Sequence, residues 1–182
     1  MAEYSDDELL AFFQTEDKRH YAFNLIVECY QRQVYWHIRK MVLDHDDAND
    51  LVQNTFIKVW QNLSSFRGDS KLYTWIYRIA TNETLSFIRQ KKLRSFVSLD
   101  DVSNVLADKM SDPANNSGEQ MQHKLHLAIL KLPEKQRLVF NMKYFQEMKY
   151  EDMSQVLNTS VGALKASFHH AVKKIEEYLK DH

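Results

Sequence analysis

The stretch that decides the fold is YEDMSQVLNTSVGALKASFHHAVKKI, which occupies residues 150–175. It predicts a short helix over 150–157, a tight turn, and a longer helix over about 161–179. Asn158 stands where the turn needs a left-handed residue, a conformation that asparagine tolerates. The hydroxyl of Ser160 can cap the second helix. This layout is typical of a helix-turn-helix, whose second helix enters the major groove of DNA.

The charges of the second helix favour DNA binding, although any helical hairpin packed in a bundle would share its apolar pattern. Its apolar side chains recur at helical spacing along one face: Leu164, Phe168, Ala171, Val172 and Ile175. Its basic side chains lie off that face, where contacts with phosphates or bases would require them: Lys165, His169, Lys173 and Lys174.

Outward from this stretch, the sequence predicts an all-α protein of two small helical domains joined by a flexible acidic linker. The chain contains 3 Gly and 2 Pro, which disfavours a β-fold rich in tight turns. We expect an N-terminal helical bundle over 1–94, a linker over 95–120 rich in Ser, Asn and Asp, and a C-terminal helix-turn-helix domain over 121–182. The predicted helices before the quoted stretch cover residues 6–14, 20–42, 44–63, 71–92, 121–131 and 134–144.

The fourth predicted helix carries a basic stripe. At 100° per residue, four polar or basic side chains share one face, namely Lys71, Arg78, Asn82 and Arg89. Trp75 borders this stripe, and the loop SSFRGDS at 64–70 places Phe66 just before the helix. An aromatic loop beside a basic helix suits the capture of an unstacked base. A solvated helix face with core aromatics is the alternative.

Composition excludes several other classes of protein. The net charge of the 182 residues is −1, far from the basic balance of a protein that binds nucleic acid unaided. A single cysteine, Cys29, excludes an intramolecular disulfide and a cysteine-based zinc site, and its apolar surroundings predict that it is buried. No signal core or run of about 18 apolar residues occurs. We therefore expect a cytoplasmic protein without membrane insertion, cofactor, metal or catalytic site.

Six motifs resemble the extracytoplasmic-function sigma factors of bacterial RNA polymerase. DANDLVQNTF at 47–56, FRGDS at 66–70 and YTWIYRIATN at 73–82 are similar to their first domain. LPEKQR at 132–137, YEDM at 150–153 and SVGALK at 160–165 are similar to their second domain. The motifs occur in the family's order and spacing over nearly the whole chain apart from the linker.

The resemblance implies a protein that gives core RNA polymerase its promoter recognition and that is not an enzyme. It would dock on the clamp of the polymerase's largest subunit through Asp47, Asp50, Leu51, Gln53 and Phe56, and contact the flap of the second-largest subunit. It would bind and open the −10 element through Phe66, Arg67, Gly68, Asp69, Ser70, Lys71, Trp75, Arg78, Asn82 and Arg89. It would read the −35 element of promoter DNA through Ser160, Lys165, Ala166, His169, His170 and Lys173. An inhibitory anti-sigma partner is common in the family, and the acidic linker would thread toward the polymerase active-site channel.

Two departures from the family and one competing function stay open at this point. The recognition helix carries histidines where arginines are frequent, and the turn has Asn158 where glycine is usual. A stand-alone helix-turn-helix regulator would use the same motif, but it would bind duplex DNA tightly without polymerase. A gel shift with and without core enzyme distinguishes the two functions.

Overall fold

The structure is a computed structural model that describes residues 4–42, 44–94 and 117–181. Within these ranges every regular element is helical, so the all-α prediction is confirmed. The α-helices are α1 (Asp6–Gln14), α2 (Arg19–Val42), α3 (His45–Asn62), α4 (Leu72–Arg94), α5 (Ser117–Leu130), α6 (Glu134–Phe140), α7 (Tyr150–Leu157) and α8 (Val161–Asp181). The 3-10 turn Glu16–Lys18 precedes α2, the 3-10 turn Leu63–Ser65 follows α3, and the π-helical turn Asn141–Phe145 follows α6.

The predicted linker over 95–120 lies mostly outside the described part of the chain, which leaves out residues 95–116. Residues 117–120 form the first turn of α5. Ser117 and Gly118 suggest a loop by composition, whereas Glu119 and Gln120 are good helix formers. A glutamate in the first turn also meets the positive end of the helix dipole.

The described residues group into two compact units. The division falls within α4, between Phe87 and Ile88. Residues 155–158, the end of α7 and the first residue after it, group with the first unit. Among the described helices, none is apolar over a length that could cross a bilayer.

The first unit begins with a capped helix that packs on α2, which in turn packs on α3. The Ser5 hydroxyl accepts a hydrogen bond from the Glu8 backbone, and the Glu8 carboxylate accepts one from the Ser5 backbone at 2.8 Å. The Ser5 hydroxyl also donates to the Glu8 carboxylate at 2.9 Å, and the bonds to the carboxylate from the Ser5 backbone first and then from the Ser5 hydroxyl lower the pKa of Glu8. Further along, Trp60 of α3 contacts the rings of Phe13 and Phe23 at 5.5 and 5.0 Å between centroids. This aromatic cluster joins the first three helices.

Three side-chain contacts fix α4 against the other helices of the unit. His37 of α2 is 1% exposed, and its Nε2 lies 2.8 Å from the Thr81 hydroxyl of α4. The ring of His37 also packs on Tyr77, with the two centroids 4.8 Å apart, and burial raises the pKa of Tyr77 to about 12. Lys58 of α3 forms an ion pair with Glu83. The polar bond matters most, because a buried polar group must keep a partner.

The second unit is built around α8, which packs against α5 and α6. The core includes Ala128, Ile129, Leu132, Phe140, Ala171 and Ile175. The sequence predicted one helix over 134–144, but α6 ends at Phe140 and continues as the π-helical turn. After the turn the backbone of Glu147 has φ 52°, and the Met148 N–H donates to the Met142 carbonyl at 3.1 Å. The left-handed residue lets the chain reverse toward α7.

The prediction that Cys29 is buried is wrong. Cys29 lies on α2 and is exposed, because the core face of this helix is formed by other residues, including Ala22, Ile26 and Val34. Partial desolvation, followed by the charges of Glu28 and Asp6, raises the pKa of its thiol. The apolar residues around Cys29 gave a wrong prediction because helical periodicity, rather than local composition, decides which side chains of a helix face the core.

Replacing the buried hydroxyl of Thr81 should destabilise the first unit. We expect Thr81→Val to lower the free energy of unfolding by about 1–3 kcal/mol, because His37 loses a buried hydrogen-bond partner. The three tryptophans, Trp36, Trp60 and Trp75, all lie in this unit, so urea unfolding followed by tryptophan fluorescence measures its stability.

Thr84→Val is the matched control for Thr81→Val. Thr84 is also buried on α4, but its hydroxyl donates to the Ala80 carbonyl of the same helix. That carbonyl keeps its backbone partner, so the cost should be small, under about 1 kcal/mol. Equal effects of the two substitutions would contradict the role of the bond to His37.

Cys29 should react with iodoacetamide in the folded protein, and the pH midpoint of the reaction should lie above about 8.5, the value of a free thiol. Thiolate is the reacting species, so a raised pKa leaves less of it at any pH below that midpoint. Urea should return the midpoint to the free value, and Glu28→Gln should lower it partway. If Cys29 reacted only after unfolding, the thiol would be buried, as the sequence predicted, and the exposed position would be wrong.

Candidate nucleic-acid interface

The first candidate surface is the outer face of α3, which begins at an acidic N-cap. Both the Asp46 and Asp47 backbone N–H groups donate to the Asp44 carboxylate at 2.9 Å. Asp50 and Gln53 are exposed one and two turns further along, while Asp47 is half-buried. The negative charges near the first turn are stabilised by the helix dipole. The result is a polar, acidic helix face open to a partner.

Two residues predicted on this surface lie inside the protein instead. Leu51 is 5% exposed and Phe56 is 7% exposed. Phe56 faces Phe23 of α2, with the two ring centroids 6.5 Å apart. Both side chains support the α3 face from behind, and the accessible part consists of Asp47, Asp50 and Gln53.

The second candidate surface begins in the loop between α3 and α4. Gly68 has φ +75°, a left-handed conformation that other residues rarely adopt. Arg67, Asp69 and Lys71 are exposed around it, and Ser70 is half-buried. The glycine therefore turns the loop so that polar side chains project outward between Phe66 and α4.

Phe66 and Trp75 contact each other at the base of this loop. Their ring centroids lie 5.2 Å apart with the planes tilted by 51°. Trp75 is 9% exposed, whereas Phe66 is half-buried. Little of the indole of Trp75 is therefore accessible for the predicted contact with DNA. Trp75 instead supports the ring of Phe66, which keeps an open edge.

The basic stripe continues from the loop along α4. Arg78, Asn82 and Arg89 are all exposed and share one face of the helix. Glu83, the acidic residue beside Asn82, is held by its ion pair with Lys58. The stripe therefore presents two guanidinium groups and an amide, which suits a phosphate backbone and a base edge.

The third candidate surface is the outer face of α8. Asn158 has φ 47°, and the Ser160 hydroxyl accepts a hydrogen bond from the Ala163 N–H at 3.3 Å, as predicted for the turn and the cap. Leu164, Ala171 and Ile175 are buried, so the helix has one sealed side. The exposed side carries Ser160, Lys165, Ala166, His169, His170 and Lys173.

A groove runs along one flank of this exposed side. It lies between the first turn of α6 and α8, and its lining includes Pro133, Glu134, Ala166 and His170. At the same surface Lys173 approaches Glu177 one turn later, with 3.9 Å between ammonium and carboxylate. The α8 face therefore mixes cations with small and uncharged side chains.

Comparison with known proteins assigns both units. Residues 26–94 match Sigma-70 region 2, and residues 122–175 match Sigma-70, region 4. The chain is 31% identical to the RNA polymerase sigma-H factor of Pseudomonas aeruginosa, over 99% of this chain and 96% of that protein. It is also 31% identical to the ECF RNA polymerase sigma factor SigW of Bacillus subtilis, over 88% of this chain and 90% of SigW.

The chain belongs to the extracytoplasmic-function RNA polymerase sigma factors. In this sigma factor, the region 2 match covers most of α2 and all of α3 and α4, and the region 4 match covers most of α5 to α8. The fold agrees with a solved sigma factor, RpoE in complex with the anti-sigma factor NepR from Bartonella quintana. The TM-score is 0.67, at 22% identity over 87% of this chain and 96% of that one.

Sequence reasoning missed two residues that stand beside the recognition helix of this sigma factor. The ammonium groups of Lys143 and Lys165 both lie over the ring of Tyr150, at 5.0 and 5.7 Å from its centroid. Only Lys165 was expected to contact DNA. Six residues lie between Lys143 and Tyr150, and the chain there leaves the π-helical turn and passes through the left-handed Glu147, so helical spacing cannot predict the contact.

Proposed function

We propose that this sigma factor divides promoter recognition among its three exposed helix faces. The face of α3 docks on core polymerase, the loop at 66–71 with α4 holds the −10 element, and α8 reads the −35 element. The observation that carries the proposal is the sorting of charge. Acidic side chains lead α3, while basic ones line α4 and α8, in a protein whose net charge is −1.

Docking on the polymerase would use Asp47, Asp50 and Gln53. They form a polar surface suited to a basic or hydrogen-bonding helix pair, such as the clamp of the largest subunit. Leu51 and Phe56 would act indirectly, because their burial fixes the rotation of α3 about its axis. The charges of Asp47 and Asp50 would speed and orient the encounter with polymerase more than they would add affinity.

At the −10 element, Phe66 would stack on a base that has left the duplex. Stacking on an aromatic ring is worth about 1–3 kcal/mol per base, enough to offset part of the cost of unpairing. Trp75 would hold Phe66 in place, Asn82 can hydrogen-bond a base edge, and Arg78 and Arg89 would follow the strand backbone. Arg67, Gly68, Asp69, Ser70 and Lys71 would form the rim of the pocket.

At the −35 element, α8 would enter the major groove. Lys165 and Lys173 would contact phosphates or bases, Ala166 would allow close approach, and His169 and His170 can donate or accept at base edges. Ser160 would hold the first turn of the helix. The flap of the second-largest subunit would support this domain in the holoenzyme.

Weak net charge explains why polymerase must take part. Much of a protein's affinity for DNA comes from basic side chains that neutralise phosphates. A chain with a net charge of −1 can neutralise few phosphates without a partner. A stand-alone regulator would need a stronger basic surface.

The proposal also places this sigma factor in the cytoplasm with polymerase, as a protein without catalysis or cofactor. Residues 95–120 would join the two DNA-facing units.

An anti-sigma factor is a further proposed partner. The solved RpoE structure contains the anti-sigma factor NepR. A protein that covered the α3 face of this chain would block polymerase, and one that covered the α4 or α8 face would block DNA.

In vitro transcription tests the proposal as a whole. The purified chain, added to core polymerase on genomic fragments, should give new run-off products and no products without core. In a gel shift, the chain alone should bind the same fragments weakly. Tight, specific binding of duplex DNA without polymerase would favour the stand-alone regulator instead.

The double substitution Asp50→Ala/Gln53→Ala should weaken core binding at least tenfold, because it removes the accessible polar groups of the α3 face. Fluorescence anisotropy of a dye on Cys29, titrated with core, measures the change. Gln14→Ala/Asp17→Ala, which removes the same two residue types from exposed positions in the same unit, should leave affinity unchanged. If the variant with both substitutions bound core polymerase with wild-type affinity, the α3 face would not be the docking surface.

Phe66→Ala should slow promoter opening roughly tenfold while leaving closed-complex formation unchanged, because it removes one stacking surface worth about 1–3 kcal/mol. Stopped-flow fluorescence of 2-aminopurine in the −10 element measures opening. Tyr21→Ala removes a ring that is 53% exposed on α2 and serves as the control. An unchanged opening rate would rule out base capture at Phe66.

A further inference from the structure

A histidine stands at the centre of a row of basic side chains on the exposed face of α8. Lys165, His169 and Lys173 are all exposed and follow one another at intervals of four residues, the spacing that makes side chains neighbours on one face of a helix. Histidine is the side chain whose charge ordinarily changes between about pH 5 and pH 8. The charge at the centre of this row therefore depends on a proton, whereas its two ends are permanently positive.

Both lysines of the row are engaged by other side chains. The Lys165 ammonium lies over the ring of Tyr150 in α7, 5.7 Å from the ring centroid. The Lys173 ammonium approaches the Glu177 carboxylate one turn further along α8, at 3.9 Å. An acceptor that meets the centre of the row thus has the imidazole of His169 as its donor.

The ring of His169 is open to a partner. It contacts the ring of His170, with the two centroids 6.0 Å apart and the planes tilted by 58°. In the described part of the chain, neither ring takes part in a hydrogen bond or an ion pair. A neutral imidazole donates from one nitrogen, whereas an imidazolium donates from both. Protonation would therefore add both a donor and a positive charge to an accessible ring.

The charges around the two histidines differ. His170 lines the groove between α6 and α8, and Glu134 and Lys135 of α6 line the same groove. Lys174 is exposed one turn beyond His170. A proton on His170 thus faces a groove that already contains a carboxylate, whereas a proton on His169 lies between the two lysines of the row. Like charges at this spacing repel each other, and an electronegative partner would relieve that repulsion.

We propose that His169 is a proton-dependent contact with DNA, so that this sigma factor takes up a proton when it binds the −35 element and binds more tightly as the pH falls. The inference rests on the proposed function, since α8 must lie in the major groove for His169 to meet DNA. The protonated ring donates to an acceptor, either a phosphate oxygen or the N7 and O6 edge of a guanine. Because the two binding events are linked, the proton and the DNA strengthen each other's binding by the same factor.

Closed complexes of the reconstituted holoenzyme test this linkage on a promoter fragment that gives a run-off product. Between about pH 8 and pH 6, where histidine gains its proton, the wild-type binding constant should rise about fivefold more than that of His169→Gln, as expected when a hydrogen bond becomes charged. His169 is exposed, so the substitution leaves the core of the unit intact. Equal pH dependence of the two proteins would overturn the proposal.

A permanent cation at the same position provides the complementary test. His169→Arg should bind near pH 8 as tightly as the wild type binds near pH 6, because the guanidinium is planar and charged throughout this range. Its affinity should also change with pH no more than that of His169→Gln. Weak binding of His169→Arg near pH 8 would contradict a role for positive charge at this position.

Two other histidines of the same unit serve as matched controls. His170→Gln removes the neighbouring ring of α8, and His126→Gln removes an exposed histidine of α5. Both variants should keep the wild-type pH dependence, because neither residue lies between the two lysines of the row. If either substitution removed as much of the pH dependence as His169→Gln, the assignment to His169 would be wrong.

The source of the acceptor is distinguished by the salt dependence and by the bases. If His169 binds a phosphate, the slope of log K against log salt should be steeper near pH 6 than near pH 8 by about 0.9. If it binds a guanine, the slope should stay the same, and replacing that guanine by 7-deazaguanine should abolish the gain at low pH. A gain that showed neither behaviour would place the proton elsewhere and overturn the contact with DNA.

Two outcomes separate this inference from the proposed function. If the holoenzyme gives no run-off product on any fragment at either pH, the proposed function fails. If it initiates transcription and His169→Gln keeps the wild-type pH dependence, only the proton-dependent contact fails.

Discussion

The burial of one apolar face on each functional helix determines which side chains can meet a partner. On α3, Leu51 and Phe56 face inward and leave Asp50 and Gln53 outside; on α8, Leu164 and Ala171 do the same for Lys165 and His169. A helix whose apolar side is sealed cannot rotate without exposing it, at about 25 cal/mol per Å² of apolar surface. The positions of the polar side chains on these faces are thus a consequence of core packing.

The α4 helix differs because polar contacts supplement its apolar packing. The buried bond between His37 and Thr81 and the ion pair between Lys58 and Glu83 approach it from two neighbouring helices. A buried hydrogen bond restricts geometry more sharply than apolar contact does, because distance and angle both matter. This constraint fixes the direction of the neighbouring exposed side chains, Arg78 and Asn82, which we propose contact the −10 element.

The sequence predicted the helices well and the interior of the sites less well. Helix ends with strong local signals, such as the Ser5–Glu8 capping box and the Ser160 cap, could be predicted because their interactions span three residues. The inward positions of Leu51, Phe56 and Trp75 were missed, since motif resemblance marks a residue as part of a site without saying whether it touches the partner or supports the surface. Cys29 was misplaced because local apolar composition was weighed above its position on the helix.

The remaining misses come from backbone irregularity, which carries the tertiary contacts that local rules cannot reach. A regular helix through 134–144 would give Lys143 a different direction, and the π-helical turn with left-handed Glu147 redirects it toward Tyr150. π-helical turns weaken the backbone hydrogen-bond pattern and are frequent at functional sites. In this protein the turn leaves the Lys143 ammonium over the ring of Tyr150, the same ring that Lys165 of α8 approaches. A backbone irregularity of five residues thus produces a contact between three elements that no regular helix through 134–144 would have indicated.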